Sequence, residues 1–217
     1  MKTIRNSPCA LLFILVLLTA AACKKPKPTV TAVSMSMGDF PNKIGDQWIY
    51  LIHDSLTNVN DTATVTIISA GNFNGSACSL WQELYSNGTG DTMAVVTSVD
   101  TINYYNYNTP PYIELDFAVL FPITASANWK DNSVGNYSVS HLSNYVSAGQ
   151  NYPDIFMQSR IAVYQASDSM SDVIYIAPKI GLVKRTYKFY EFVPQTHGYI
   201  SYLAANQTWS LISYHLN

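Results

Sequence analysis

The feature that most constrains this chain is an apolar/polar alternation with a period of two. In "TATVTIIS", Ala63, Val65 and Ile67 fall on one side of an extended segment, with Thr62, Thr64 and Thr66 on the other. In "YIELDFAVLF", Ile113, Leu115, Phe117, Val119 and Phe121 alternate with polar Glu114 and Asp116. Further strands are predicted at 48–53, 78–85, 92–99, 102–107, 137–142, 155–164, 173–176, 183–192, 199–203 and 208–216. Between them "GNFNGS", "SNGTGD", "NTPP" and "QTHG" carry turn chemistry. Sixteen Tyr suit strands, and no stretch holds a convincing helical stripe. The predicted fold is all-β: a single domain of about twelve antiparallel strands, arranged as a strongly curved sheet or open barrel, with a β-sandwich as the alternative. Each strand has one dry and one wet face, which favours a sheet wrapped around one interior over a parallel α/β sheet.

The N-terminus predicts export. Lys2 and Arg5 precede an apolar run centred on residues 10–22, long enough for a signal peptide and short for a membrane span. Ala20, Ala21 and Ala22 directly before Cys23 resemble a bacterial lipobox, although Ala20 stands where Leu is commonest and Leu18 lies two places early. The competing reading is an ordinary secretory signal cut near Ala22. The expected organisation is a lipoprotein signal peptide (1–22), an acylated Cys23 with a basic, Pro-rich tether (23–38), and a β-domain (39–217). Lys24, Lys25 and Lys27, interleaved with Pro26 and Pro28, suit a spacer beside an anionic membrane. Cys9 would leave with the signal and Cys78 is left alone, so no intramolecular disulfide is expected. The expected location is the bacterial cell envelope, at the outer membrane. No acidic residues follow the anchor at Lys24-Lys25, which favours its periplasmic face over the cell surface.

Beyond Lys27, seven Lys/Arg face fourteen Asp/Glu, a net charge of about −7 with no basic stripe, which argues against nucleic-acid binding. "FPNKIGDQW" (40–48) and "FPITASANW" (121–129) share Phe-Pro-x6-Trp, 81 residues apart. Pro ends strand pairing, so both blocks are read as plugs in which Phe and Trp close an end of the core. Three matching positions favour that local reading over duplication of a half-domain.

The first block, with "YIAPKIGLVKRTY" (175–187), resembles envelope lipoproteins of Bacteroidota and is similar to domains grouped as TapB-like or DUF3108-like. The resemblance implies an antiparallel β-domain of curved-sheet or open-barrel type. It brings no catalytic residues. Thr124-Ala125-Ser126-Ala127 in the second block departs from the first in having no Gly turn.

Signatures of catalysis are absent: there is no Gly-x-Ser-x-Gly, Ser-x-x-Lys, P-loop, Gly-x-Gly-x-x-Gly or His-Glu-x-x-His. His53, His141, His197 and His215 are dispersed. Glu114 and Asp116 share one side of a strand and are read as solvating its outer face, and "DNSVGN" (131–136) is read as a turn. No cofactor, catalytic residue or metal site is expected. Tyr104, Tyr105, Tyr107 and Tyr112, spaced by Asn, are candidate contacts for a glycan, peptide or envelope-protein partner, or else a ladder that stiffens a hairpin. Ser55, Thr62, Thr92, Thr101 and Ser169 each follow Asp and precede an aliphatic residue or Met, the pattern of Bacteroidota O-glycosylation acceptors. Asp ending a turn and Thr opening a strand produce the same triplet. The functional expectation is a non-enzymatic envelope lipoprotein, anchored to the membrane by lipid, with a ligand-binding, partner-binding or assembly role. The alternative is a carbohydrate-active or hydrolase-like accessory whose site draws on dispersed carboxylates and His.

Overall fold

The computed structural model describes residues 33–107, 115–130, 135–164, 168–195 and 198–217. The expected signal peptide, Cys23, most of the tether, Tyr112, Glu114 and His197 lie outside the described residues. Apart from a 3-10 turn at Met37–Asp39, the regular structure is strand. The first half holds β1 (Ser34–Met35), β2 (Gln47–Asp54), β3 (Val59–Phe73), β4 (Ser76–Tyr85), β5 (Gly90–Thr97), β6 (Thr101–Asn106) and β7 (Leu115–Leu120). The second holds β8 (Ile123–Thr124), β9 (Asn128–Lys130), β10 (Gly135–Ser147), β11 (Gln150–Tyr164), β12 (Asp168–Ala177), β13 (Gly181–Gln195) and β14 (Gly198–His215).

β1 and β8 pair as a small ribbon. The other twelve form one antiparallel sheet in the order β7-β6-β5-β4-β3-β2-β14-β13-β12-β11-β10-β9. Two six-stranded meanders therefore meet at the β2–β14 seam, and the sheet is not closed into a barrel. Bulges leave Ile68, Asp116, Val183, Ala204 and Ile212 without an opposite residue. Each sharpens the local twist. The Ala204 bulge explains one difference from the sequence reading: the strands predicted at 199–203 and 208–216 are a single strand, β14, with an irregularity in it.

The sheet rolls around the face that the alternation marks as dry. Ala63, Val65, Ile67, Phe117, Val119 and Phe121 are all buried. Rings fill the centre: Trp48 stacks on Trp81 at 5.0 Å, and Tyr104 lies edge-on to Trp81 at 5.4 Å and stacked on Phe117 at 3.9 Å. The roll brings the β7 edge over the inner side chains of β11. Gln158 Nε2 donates to the Ala118 carbonyl at 2.5 Å and Arg160 Nη1 to the Asp116 carbonyl at 2.7 Å. Side chains thus serve edge carbonyls that would otherwise lack a partner strand.

The two Phe-Pro blocks differ at the Phe-Pro peptide, which is cis at Phe121–Pro122 and trans at Phe40–Pro41, but the turns that follow fold alike. In the first, the Asp46 N–H closes a turn on the Lys43 carbonyl, Gly45 has φ +91°, and Gly45 and Asp46 exchange hydrogen bonds with Ile67. In the second, the Ala127 N–H closes on Thr124, Ser126 has φ 68°, and Ser126 and Ala127 exchange hydrogen bonds with Val139. Ser126 takes the left-handed position that Gly45 holds. The two Phe rings meet edge to face, Phe40 with Phe121 at 6.1 Å. The first block also docks on the turn in "YIAPKIGLVKRTY". Trp48 Nε1 donates to the Ile180 carbonyl at 2.7 Å, and the Lys179 N–H donates to the Asp39 carbonyl at 2.6 Å. Gly181, at φ +89°, leaves room for Pro41, whose Cγ would lie 3.1 Å from an added Cβ. The two stretches that carry the family resemblance are therefore packed against each other.

Candidate functional site

Four charged residues stand in the apolar phase of their strands and so point into the roll. Glu83 lies between Trp81 and Tyr85 on β4, Asp172 between Met170 and Ile174 on β12, Arg185 between Val183 and Tyr187 on β13, and Arg160 two residues before Ala162 on β11. A buried charge has to find a partner, so these positions organise one another. Asp116 joins them by a different route. Its bulge removes it from the strand's alternation and turns its carboxylate inward. That corrects the expectation that Asp116 solvates the outer face.

Arg185 is the hub. It donates from Nη1 and Nη2 to the two Asp116 oxygens, at 2.9 and 2.8 Å. It also donates from Nε and Nη2 to Asp172, at 3.1 and 2.9 Å. Its guanidinium lies 5.0 Å from the Phe117 ring centre and 5.5 Å from that of Tyr187. Burial works against the Arg185 charge, but the two carboxylates outweigh it and hold the group protonated well above its usual range. Burial raises Asp172, and Arg185 opposes that rise.

Beside this cluster opens a cleft of about 260 Å³. Glu83, Asp91, Asp116, Arg185, Asn106 and Gln207 supply polar groups, and Tyr85, Tyr187, Trp209 and Met93 supply apolar walls. A smaller pocket of about 40 Å³ continues inward past Glu83 and Trp209 to Trp81 and Tyr104. Burial pushes the Glu83 carboxyl up to about 7, against the opposing pull of Arg185, with Asp116 raising it further, the Tyr85 hydroxyl lowering it and Asp91 raising it. Tyr85 donates to Glu83 Oε2 at 3.2 Å. Of two wider grooves, the one beside Trp129 and Tyr137 holds a single charged side chain, Lys130, and the one beside Pro41 and Lys179 holds Asp39, Lys43, Asp46 and Lys179 but only one ring, Phe40. Among the described residues, no three His, Cys, Asp or Glu side chains are placed to hold a metal ion.

The residues singled out from the sequence fall elsewhere. Tyr104 is 2% exposed and belongs to the core, so it cannot share an outer surface with its neighbours. Tyr105 and Tyr107 do lie together outside, stacked and tilted against Phe73 at 4.9 and 6.2 Å. Ser55 and Thr62 are exposed, whereas Thr92, Thr101 and Ser169 are half-buried. The preceding Asp residues do local work: Asp54 accepts the Leu56 N–H, Asp61 the Thr62 N–H, and Asp168 the Phe192 N–H. His53 pairs with Asn60, His141 with Asp154, and His215 is exposed at the end of β14. No described His lines the cleft.

Fold and cleft together define an all-β domain with an acidic, aromatic-walled mouth. No protein-family model and no curated protein matches the chain. Among solved structures it is similar to a protein described as a lipoprotein from Parabacteroides distasonis ATCC 8503. The identity is 10% and the TM-score 0.42, over 81% of this chain and 97% of that one. A likeness at that level transfers no residue role.

Proposed function

We propose that the chain is a lipid-anchored protein of the bacterial cell envelope, probing the periplasm with a β-domain that binds a small ligand in the Glu83–Trp209 cleft. The carrying observation is the cleft itself: a concave, aromatic-walled space with polar groups converging on it. At about 260 Å³ it lies just below the usual range for drug-sized ligands, so its occupant is small. Anchoring through Cys23 rests on the lipobox-like Ala20-Ala21-Ala22. The O-glycosylation triplets at Ser55 and Thr62 are the two best exposed for modification.

The test is a thermal-shift panel of small cations, neutral sugars and anions on purified protein. At least one class should raise the melting temperature of the native chain and leave a Trp209→Ala variant unmoved. No shift with any class contradicts the cleft reading. Anchoring is tested separately, by fatty-acid labelling that Cys23→Ser should abolish.

A second reading, a hydrolase-like accessory, draws on one observation. Glu83 is poised to hold a proton near neutral pH beside Asp91 and Asp116. Binding is the better supported reading, because Asp116 is already engaged by Arg185 through both carboxylate oxygens.

A further inference from the structure

Among the described residues lining the cleft, Arg185 is the single cation, and its hydrogen bonds go to Asp116 and Asp172. It offers little to an incoming anion. Among the described residues lining the cleft, the carboxyl groups of Glu83, Asp91 and Asp116 outnumber the one guanidinium, and Trp209, Tyr85 and Tyr187 present rings beside them. Carboxylates set against aromatic faces suit a positively charged nitrogen, which gains from Coulomb attraction and from the ring quadrupoles. The folded part carries about −7, which steers cations toward it. A second, independent feature lies deeper. Trp81 is 5% exposed, lines the inner pocket, and its indole N–H has no hydrogen-bond partner among the described residues. A buried donor left open in a pocket wall calls for an acceptor atom on a ligand.

We propose that the cleft binds a small organic ammonium ion that also carries a hydrogen-bond acceptor, its charge held by Glu83 against the rings of Trp209, Tyr85 and Tyr187. This rests on the cleft reading above and adds the ligand class. Metal cations are the less suitable occupants, since no metal-ligating group of three forms among the described residues. Glu83 has to be ionised to hold the ligand, and the charged or titrating groups that face it are Arg185, Asp116, Asp91 and Tyr85. Binding should therefore follow the deprotonated fraction of Glu83.

The probe is choline, a permanent cation with a hydroxyl, compared with its uncharged isostere 3,3-dimethylbutan-1-ol and with glucose. Calorimetry and tryptophan fluorescence on the full chain read the affinity. Choline should bind at least about tenfold more tightly than the isostere. Its affinity should fall about tenfold from pH 8 to pH 6, because ionisation around pH 7 changes the carboxylate fraction by about that factor. Glu83→Gln, an isosteric change, should remove the pH dependence and weaken choline binding while circular dichroism stays unchanged. Equal binding of choline and the isostere, or pH-independent choline binding, overturns the ammonium proposal. Glucose binding that Trp209→Ala abolishes, without choline binding, overturns it too and leaves the cleft reading standing. If none of the three probes binds, the ammonium class is overturned, and silence across the wider panel removes the cleft reading with it.

Discussion

Near pH 7 Glu83 is divided between its two protonation states, because the cleft disfavours its charge more than Arg185 restores it. The consequence for stability has a definite sign. The folded carboxyl titrates at about 7 and the free one at 4.5, so the contribution of Glu83 is fully present below 4.5 and is lost as pH rises through 7. Glu83→Gln should make the protein more stable than the native chain at pH 8, by about 1–3 kcal/mol, with the gap closing toward pH 4. Urea unfolding at several pH values measures it, and parallel stability curves would contradict the burial assigned to this carboxyl. Glu83 was legible in principle, since a Glu between Trp81 and Tyr85 sits in the apolar phase of its strand. Arg185 and Asp172 carry the same signal. Asp116 did not, because a bulge at that residue breaks the alternation that reading depends on.

At the scale of elements, the Phe-Pro turns show how one backbone shape arises from two sequences. Gly45 meets the left-handed position without strain, whereas Ser126 holds it at a cost of about 1–2 kcal/mol. Ser126→Gly should therefore stabilise the domain by up to about 1 kcal/mol, the gain reduced by greater freedom in the unfolded chain. Gly45→Ala should destabilise it by more than that, since an added Cβ would also press on the Asn217 side chain at 2.5 Å. Thermal melts of the two variants should move in opposite directions; a fall in both would contradict the equivalence of the turns. Three of the four expected corner residues, Phe40, Trp48 and Phe121, are buried, and Trp129 stacks on Tyr137 at 5.0 Å. The shared hydrogen-bond pattern could not be read from three matching letters, because it is carried by backbone groups and by Ser126 standing in for Gly. β1, β8 and β9 leave no mark in the sequence. At two or three residues each, they are too short for a period to register.

For the whole molecule, the alternation was enough to place a many-stranded sheet around one interior, and Ala63, Val65 and Ile67 lie where it puts them. Strand order and the docking of β7 were not legible, since both depend on pairings far apart in sequence. The β7 edge is held by Gln158, Arg160 and Arg185, and that contact forms one side of the cleft. The most direct test is a double-mutant cycle between Asp116→Asn and Arg185→Met, which are 69 residues apart, read by denaturant unfolding. Each single change should destabilise the protein, Arg185→Met by about 3–5 kcal/mol because Asp172 is left buried without its partner. The pair should show a coupling energy of about 1–3 kcal/mol. Strict additivity would mean that β7 does not lie against β13, and the rolled sheet with its cleft would have to be abandoned.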